Sequence, residues 1–336
     1  MIIEERPGKH NINDWFALQS QKLLNDQKNS WETLRNNYEN LSLVKNRSFD
    51  FNGVEIVVQY NPARKRSSCA DVSKQAIENR ECFLCIDKLP KEQNGLLYGK
   101  NFVILCNPYP IFPEHFTISK KKHIPQAIIG NFEELLEVSR DLGKYYSVFY
   151  NGPKCGASAP DHMHFQAGTE NLIPVEYQYE ILKNGFTKNL YVDGKDKIEI
   201  RFFENLNRNF ICFESGNKGE LLYAFKIFIK AYKNISVPKE EPMMNIISTY
   251  KNNKWKIFIF PRTAHRPKEF FYNNEGKIII SPAAVDMGGL IITPREKDLE
   301  NLTIENITSI YRQVSINKEY FEFLKKKMGE IYKRAD

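Results

Sequence analysis

Apolar residues recur along the chain with two periods, which predict helices in some segments and strands in others. Spacings of three and four residues predict helices over residues 13–41, 131–149 and 219–232 and in the tail after Leu299. Alternation predicts a hairpin over residues 48–60, with Asn52-Gly53 as its turn. Further strands are predicted at residues 102–105, 115–118, 162–168, 276–280 and 290–292, and two strands each within residues 190–213 and 243–261.

One predicted strand carries two histidines and a glutamine at alternate positions. Successive side chains on a strand point to opposite faces, so His162, His164 and Gln166 share one face. The residues between them are apolar and share the other face: Met163, Phe165 and Ala167. The alternation therefore predicts one chemical face and one core face.

The segment before this strand is rich in small residues. Gly152, Gly156 and Ala157 allow a ligand to approach the backbone, and Ser158 continues the run, so backbone N–H groups can face an anion here. We expect Asn151 to orient a phosphate, to cap the loop, or to do both. A phosphate held here lies beside an imidazole, and a neutral imidazole is a competent nucleophile. The pattern indicates transfer of a phosphorus-containing group.

Two other segments carry candidate chemistry. Arg64 and Arg66 lie in a basic loop after the predicted hairpin, where they are phosphate ligands or an exposed turn, because a guanidinium donates paired hydrogen bonds to phosphate. Cys82 and Cys85 form a Cys-x-x-Cys pair, which is typical of redox sites and structural zinc and also occurs by chance. His265 is isolated in sequence, and we expect it in a loop or at the surface.

Composition narrows the class of protein. The 336 residues are 42% apolar and 13% aromatic, which is enough for globular cores. No apolar run is long enough to cross a membrane, and the first residues lack a signal pattern, so we expect a soluble cytoplasmic protein. The net charge of +7 comes from lysines scattered among acidic residues, so we do not expect nucleic acid as a partner.

The His-x-His-x-Gln pattern after a Gly-Ala-Ser loop resembles the histidine-triad superfamily, specifically its transferase branch. That branch contains galactose-1-phosphate uridylyltransferase, diadenosine tetraphosphate phosphorylase and the GDP-hexose phosphorylases. Residues 162–167 look most like the GDP-hexose phosphorylases. The resemblance implies that His164 is the nucleophile and that Gln166 hydrogen-bonds the nucleotidyl phosphate.

The resemblance also implies roles for residues outside that strand. It places Arg64 and Arg66 near the nucleotide phosphates. It also matches His115 to a turn histidine of the nucleotide pocket, and the alternative is that His115 has a purely structural role. By similarity to bacterial uridylyltransferases, a structural zinc would be held by four residues: Cys82, Cys85, His123 and His162. The GDP-hexose phosphorylases usually lack this set, and unmetallated thiols are the alternative.

The fold implied is α+β, with two fused histidine-triad-like halves, each a mainly antiparallel sheet with packed helices. We expect a helical extension over residues 1–45, a catalytic half over 46–180 and a degenerate half over 181–336. The implied reaction is nucleotidyl transfer from a nucleoside diphosphate sugar or dinucleoside polyphosphate to inorganic phosphate or a sugar phosphate. The alternatives are a hydrolase of the same substrates and a non-catalytic zinc-stabilised nucleotide- or nucleic-acid-binding protein. The chain would act as a monomer or homodimer.

Overall fold

A computed structural model gives the architecture of the chain. It describes residues 1–3, 14–192, 198–204, 206, 208–233 and 240–332. None of the helices in these ranges combines the length and the apolar character that crossing a membrane requires.

Each half contains three strands, one long helix and two further strands in the same order along the chain. The strands are β1 (Ile2–Ile3), β2 (Lys45–Phe51), β3 (Val54–Tyr60), β4 (Gly95–Tyr98), β5 (Phe102–Cys106), β6 (His115–Lys120), β7 (Tyr146–Asn151), β8 (His164–Thr169), β9 (Thr187–Val192), β10 (Glu199–Phe203), β11 (Phe210–Ser215), β12 (Met244–Lys251), β13 (Lys254–Pro261) and β14 (Leu290–Thr293). The helices are α1 (Trp15–Ser30), α2 (Glu32–Glu39), α3 (Lys65–Ser68), α4 (Lys74–Glu78), α5 (Phe132–Leu142), α6 (Pro174–Tyr177), α7 (Tyr179–Gly185), α8 (Lys218–Tyr232), α9 (Ala284–Met287), α10 (Glu296–Asn301), α11 (Ile304–Val314) and α12 (Lys318–Tyr332).

One 11-stranded sheet runs through both halves of the molecule. Its strand order is β1-β4-β5-β6-β8-β7-β12-β13-β11-β10-β9, and every pairing except β1 with β4 is antiparallel. With the edge strand β1 left out, each half has five strands in the same order when counted from the outside: first, second, third, fifth and fourth. One long helix precedes the fourth strand in each half, α5 in the first and α8 in the second. The predicted α+β fold of two related halves is therefore confirmed, and the sheets of the halves join through β7 and β12.

A smaller sheet covers part of one face. The hairpin β2–β3 turns at Asn52 and Gly53, which both have positive φ, as the Asn-Gly signal predicts. Strand β14 of the second half then pairs in parallel with β3 of the first half. The two halves thus share both sheets.

Two hydrophobic cores lie on opposite faces of the large sheet. The first core contains Met163, Phe165 and Ala167 together with buried residues of α1, α5, α8 and α12. The second core contains residues of the small sheet, of β7 and of helices α9 to α11. Because His164 and Gln166 alternate with first-core residues, they face the second layer, where the site lies.

Two elements predicted from the sequence differ in the structure. The helix predicted over residues 131–149 ends at Leu142, and Tyr146–Asn151 form β7, which is buried along its whole length. A strand buried on both faces lacks alternation, so its apolar run reads as a continuation of the helix. The strand predicted at residues 276–280 is wrong. Those residues follow an irregular path, and the Ile279 N–H donates to the Asp298 carboxylate at 2.9 Å instead of to a strand.

The close approach of β8 to the second layer gives a stability prediction. A Cβ placed on Gly168 would lie 2.2 Å from Cδ2 of Phe112, a ring that is 1% exposed. We expect Gly168→Ala to lower the free energy of unfolding by about 1–3 kcal/mol, because the buried ring has to move. Chemical denaturation measures this change. Gly185→Ala is the control, since nothing lies within 4 Å of a Cβ there, and an equal effect of both variants would contradict the packing argument.

Candidate active site

His164 begins β8 with its ring in one defined tautomer. Its Nδ1 lies 2.8 Å from the carbonyl oxygen of His162, which can only accept a hydrogen bond, so Nδ1 carries the ring proton. Burial lowers the pKa of His164 to about 4, so the ring is neutral at pH 7. Nε2 therefore holds a lone pair, and no hydrogen bond to it occurs within the described ranges. This is the protonation state that a nucleophilic imidazole requires.

The backbone around His164 is fixed by a glutamine that sequence reasoning missed. Gln126 accepts from the His164 N–H at 2.8 Å and donates to the carbonyl oxygens of Asn151 and His164 at 2.9 and 3.0 Å. Gln126 is 3% exposed, so all of these bonds are formed in the interior. It joins the end of β7 to the start of β8 across the intervening loop. Neither its spacing nor its sequence context signals this role.

The small-residue loop between β7 and β8 presents backbone donors. Gly156 has φ of +105°, and a Cβ there would lie 2.6 Å from Cβ of Ala283, so only glycine fits. Ala157 N–H donates weakly to Gly152 at 3.4 Å. Within the described part of the chain the N–H groups of Gly156 and Ser158 make no hydrogen bond, which leaves them as donors for an anion.

The side chain of Asn151 forms hydrogen bonds at the junction between the two halves. Its Oδ1 accepts from Ala284 N–H at 2.7 Å and from Asn245 Nδ2 at 3.1 Å. Asn245 Oδ1 in turn accepts from the buried guanidinium of Arg262. These contacts support the role of Asn151 in holding the loop, which is one of the two roles expected from the sequence. A contact from Asn151 to a phosphate stays a prediction.

Gln166 is oriented by His115, which lies behind it. The Ile111 N–H donates to His115 Nδ1 at 3.4 Å, so His115 Nε2 carries the proton and donates to Gln166 Oε1 at 3.0 Å. This leaves the Gln166 amide NH₂ for the cavity that Gln166 lines. Burial, and secondarily the positive charge of Arg64, lower the pKa of His115 to about 3. His115 thus acts on the site through Gln166.

The predicted basic loop contributes Arg64 to the site. Its Nη1 donates to the Tyr109 carbonyl oxygen at 2.7 Å, and its side chain lines the cavity that contains His164. Burial lowers the pKa of Arg64 to about 10, so the side chain remains cationic at pH 7. The side chain of Arg66 lies outside the described residues, and its role stays a prediction.

A single cavity of about 940 Å³ collects these groups. The first half lines it with the Gly156–Ser158 loop, His164, Gln166 and Arg64, and the second half lines it with residues from the segments 265–266 and 281–292. Asp286 is among the latter, and burial raises the pKa of its carboxyl to about 6. The cavity combines the neutral nucleophile His164, hydrogen-bond donors from the Gly156–Ser158 backbone and Gln166, and the cation Arg64. Groups of these kinds are needed to bind and attack a phosphate.

The four predicted metal ligands meet beside the active strand. The donor atoms of Cys82, Cys85, His123 and His162 all lie within 4.8 Å of one another. Nδ1 of His162 is 3.2 Å from Cys82 Sγ and 3.6 Å from Cys85 Sγ, and Nδ1 of His123 is 3.2 Å from Cys85 Sγ. A tetrahedral zinc shell has donor separations of about 3.3–3.8 Å. The cluster could therefore hold a metal ion of this kind.

The groups around the cluster favour the histidine tautomers that can bind a metal ion. Nε2 of His162 donates to the Lys120 carbonyl oxygen at 2.6 Å, so its Nδ1 lone pair points to the cysteines. Nε2 of His123 lies 3.9 Å from the Asp161 carboxylate, which also accepts from Arg80. Such partners orient metal-bound imidazoles. Burial and the neighbouring Cys82 raise the pKa of Cys85 to about 11, an effect that a divalent cation would reverse.

Two protein-family models match the chain. Residues 23–169 match a domain of unknown function, DUF4922, and residues 187–335 match the GDPGP1-like C-terminal domain. No curated protein sequence matches the chain.

Solved structures of yeast Ap4A phosphorylase Apa2 share the fold. The complex with AMP has a TM-score of 0.57 at 15% identity and covers 91% of this chain and 98% of Apa2. The complex with Ap4A has a TM-score of 0.56 at 16% identity and covers 89% and 97%, respectively. The likeness extends over both halves of the chain, so the chain shares the fold of Apa2.

The buried His115 gives a prediction about acid stability. Its folded-state pKa of about 3 lies below the unfolded value near 6.5. The unfolded chain therefore binds the additional proton, and this contribution to stability is complete above pH 6.5 and is lost as the pH falls toward 3. The loss amounts to about 1.4 kcal/mol per pH unit.

We expect His115→Gln to make the plot of unfolding free energy against pH shallower by about 1 kcal/mol per pH unit between pH 6 and 4. Urea denaturation at several pH values measures the slope. Equal slopes in the variant and the parent would show that His115 is not held neutral in the folded protein.

Proposed function

We propose that the protein is a nucleotidyl-transferring phosphorylase of the histidine-triad superfamily. The match of residues 187–335 to the GDPGP1-like C-terminal domain and the fold shared with Apa2 support this proposal. Its donor is a nucleoside diphosphate sugar or a dinucleoside polyphosphate. Its acceptor is inorganic phosphate or a sugar phosphate. The observation that carries the proposal is the neutral His164 ring, with a lone pair on Nε2, in the cavity that holds the Gly156–Ser158 donors.

The reaction proceeds by two displacements at one phosphorus atom. His164 Nε2 attacks the α-phosphorus, an N–P bond forms, and the bond from that phosphorus to the bridging oxygen breaks, which releases the phosphorylated product. An acceptor oxygen then attacks the same phosphorus, the N–P bond breaks, and Nε2 recovers its lone pair. Each step conserves atoms and charge, and the imidazole is regenerated.

The chain's own groups stabilise charge on the phosphorus-bound oxygens. The N–H groups of Gly156 and Ser158 and the amide of Gln166 are positioned as donors, and Arg64 adds a positive charge. The ring becomes positively charged when Nε2 bonds to phosphorus. The bond from Nδ1–H to the His162 carbonyl oxygen then strengthens, since a charged donor makes a stronger hydrogen bond.

Intact-protein mass spectrometry tests the proposal. After incubation with a panel of nucleotide sugars and dinucleoside polyphosphates, without acceptor, the protein should gain the mass of one mononucleotide. His164→Ala should abolish this adduct and lower turnover by at least about 10⁴-fold, because it removes the nitrogen that bonds to phosphorus. Lys226→Ala, an exposed change on α8, is the control and should behave like the parent.

Product analysis separates this function from the alternatives. Phosphorolysis requires added phosphate and yields a nucleoside diphosphate, whereas a hydrolase yields a mononucleotide with water as acceptor. Turnover that survives His164→Ala would exclude the proposed mechanism. Binding of nucleotides without adduct or turnover across the panel would favour a binding protein.

We also propose that the Cys82–Cys85–His123–His162 cluster binds a structural zinc ion. Four protein ligands leave no open position, so the metal supplies rigidity and no Lewis-acid chemistry. His162 lies two residues before His164 and provides the carbonyl that fixes its tautomer. A metal ion on His162 would hold that carbonyl in place.

Metal analysis of a variant pair tests the zinc site. The parent should contain one zinc per chain, and Cys82→Ser should lose it and melt about 5 °C lower, since binding energy at a structural site is folding energy. Cys69→Ser is the matched control, because Cys69 is an exposed free cysteine outside the cluster. A parent free of zinc after expression in zinc-supplemented medium would contradict the proposal.

A further inference from the structure

The second half lines the cavity with a polar cluster of its own, formed by His265, Arg266 and Ser281. The sequence predicts His265 as an isolated loop or surface residue. It does lie in a loop after β13, but its side chain is half-buried, faces the cavity and contacts Ser281. Arg266 and Ser281 are half-buried as well. The two displacements at His164 assign no role to these three residues.

Hydrogen bonding within the cluster is compatible with a His265 tautomer that carries its ring proton on Nδ1. Arg266 Nε donates to Ser281 Oγ at 2.9 Å, and Ser281 Oγ lies 3.3 Å from His265 Nε2. A guanidinium only donates, so the serine oxygen accepts from Arg266, and its own proton is available to Nε2. In that arrangement the ring proton of His265 resides on Nδ1. Within the described ranges Nδ1 has no hydrogen-bond partner, so it is a donor for a ligand.

Arg266 also holds the basic loop of the first half against the second half. Its Nη2 donates to the carbonyl oxygens of Ser68 and Ala70 at 3.2 and 2.9 Å, and its guanidinium lies 4.2 Å from the centre of the Phe270 ring. The same loop carries Arg64 into the cavity. The two arginines therefore line one cavity, and Nη1 of Arg266 makes no hydrogen bond in the described part of the chain.

The charges around the cluster favour an anion. Burial, followed by the charges of Arg266 and Arg262, lowers the pKa of His265 to about 4, so positive charge already surrounds a neutral ring. Four carboxylates also line the cavity, Glu32, Asp71, Glu92 and Asp286, and four cations line it with them, Arg64, Arg80, Lys88 and Arg266. Asp286 accepts from the N–H groups of Ala283 and Ile292, and Asp71 accepts from the N–H of Ser73.

The cluster adjoins the loop that would hold the reacting phosphate. Ala283 contacts Gly156 so closely that a Cβ on Gly156 would lie 2.6 Å from it, and Ala284 N–H donates to Asn151. Ser281 precedes Ala283 by two residues, about 7 Å of extended chain. A phosphate bound at the cluster is therefore next to one bound at the Gly156–Ser158 loop.

We propose that His265, Ser281 and Arg266 form the subsite for the second phosphate, the one that attacks or leaves the α-phosphorus. This inference rests on the proposed function, because it assigns the place of the acceptor in that reaction. The ligand chemistry is a phosphate dianion or monoester, either free inorganic phosphate or the phosphate of a sugar phosphate. Its oxygens would accept from His265 Nδ1 and Arg266 Nη1.

Equilibrium binding of small probes tests the subsite without requiring turnover. Isothermal titration calorimetry with inorganic phosphate should show His265→Phe binding about 10-fold more weakly than the parent, the loss expected for one hydrogen bond to a charged group. His265→Gln, which keeps an amide donor, should recover part of the affinity. AMP and GMP occupy only the α-phosphate position, so their affinities should change less than about 2-fold.

The control and a second variant keep the test decisive. Thr263→Ala changes an exposed residue of the same loop and should bind phosphate like the parent. Ser281→Ala removes the hydroxyl that lies between Arg266 and His265 and should weaken phosphate binding by about 3-fold, which provides a readout if His265→Phe folds poorly. Thermal melting of each variant confirms folding.

The outcomes separate this inference from the proposed function. Unchanged phosphate affinity in folded His265→Phe and Ser281→Ala would overturn the subsite, even if nucleotidyl transfer is active. Weakened phosphate binding in a protein that forms no nucleotide adduct would support an anion subsite but refute the proposed reaction. A sugar phosphate that binds more tightly than inorganic phosphate, with the same loss in His265→Phe, would identify it as the acceptor.

Discussion

The pairing of β7 with β12 is the constraint on which the rest of the structure depends. It fuses two five-stranded units of identical strand order, β4–β8 and β9–β13, into one sheet and places Asn151 directly opposite Asn245. The buried side chains of these two residues bond to each other, and Asn245 accepts from Arg262. Unpaired polar groups in this interior would be costly, so the network fixes the halves relative to each other. The cavity then takes its lining from both halves.

The two halves keep the same order but have diverged in chemistry. In the first half a twelve-residue loop, 152–163, separates β7 from β8 and carries the glycine at positive φ that no other residue can replace. In the second half, β12 and β13 are joined by a tight turn at Asn252 and Asn253, and β13 has no histidine. The first half thus holds the nucleophile, and the second half supplies walls and donors.

Local signals in the sequence were sufficient for part of this account. The alternation at residues 162–167 predicted which side chains enter the core, and Asn52-Gly53 predicted the hairpin. Other features arise from contacts between distant segments, which periodicity cannot report. Gln126, Asn245 and the parallel pairing of β14 with β3 are of this kind, as is the approach of His265 to the cavity. The domain limits near residues 45 and 180 and the cytoplasmic location stay predictions.

The central claim is that Nε2 of His164 carries the nucleotide, and nuclear magnetic resonance of histidine-labelled protein tests it most directly. With ¹⁵N in the imidazoles and a nucleotide donor but no acceptor, the account predicts a phosphoramidate ³¹P signal coupled to a single ring nitrogen, Nε2 of His164, while Nδ1 keeps its proton. Product formation with no such coupling, or coupling to another histidine, would contradict it.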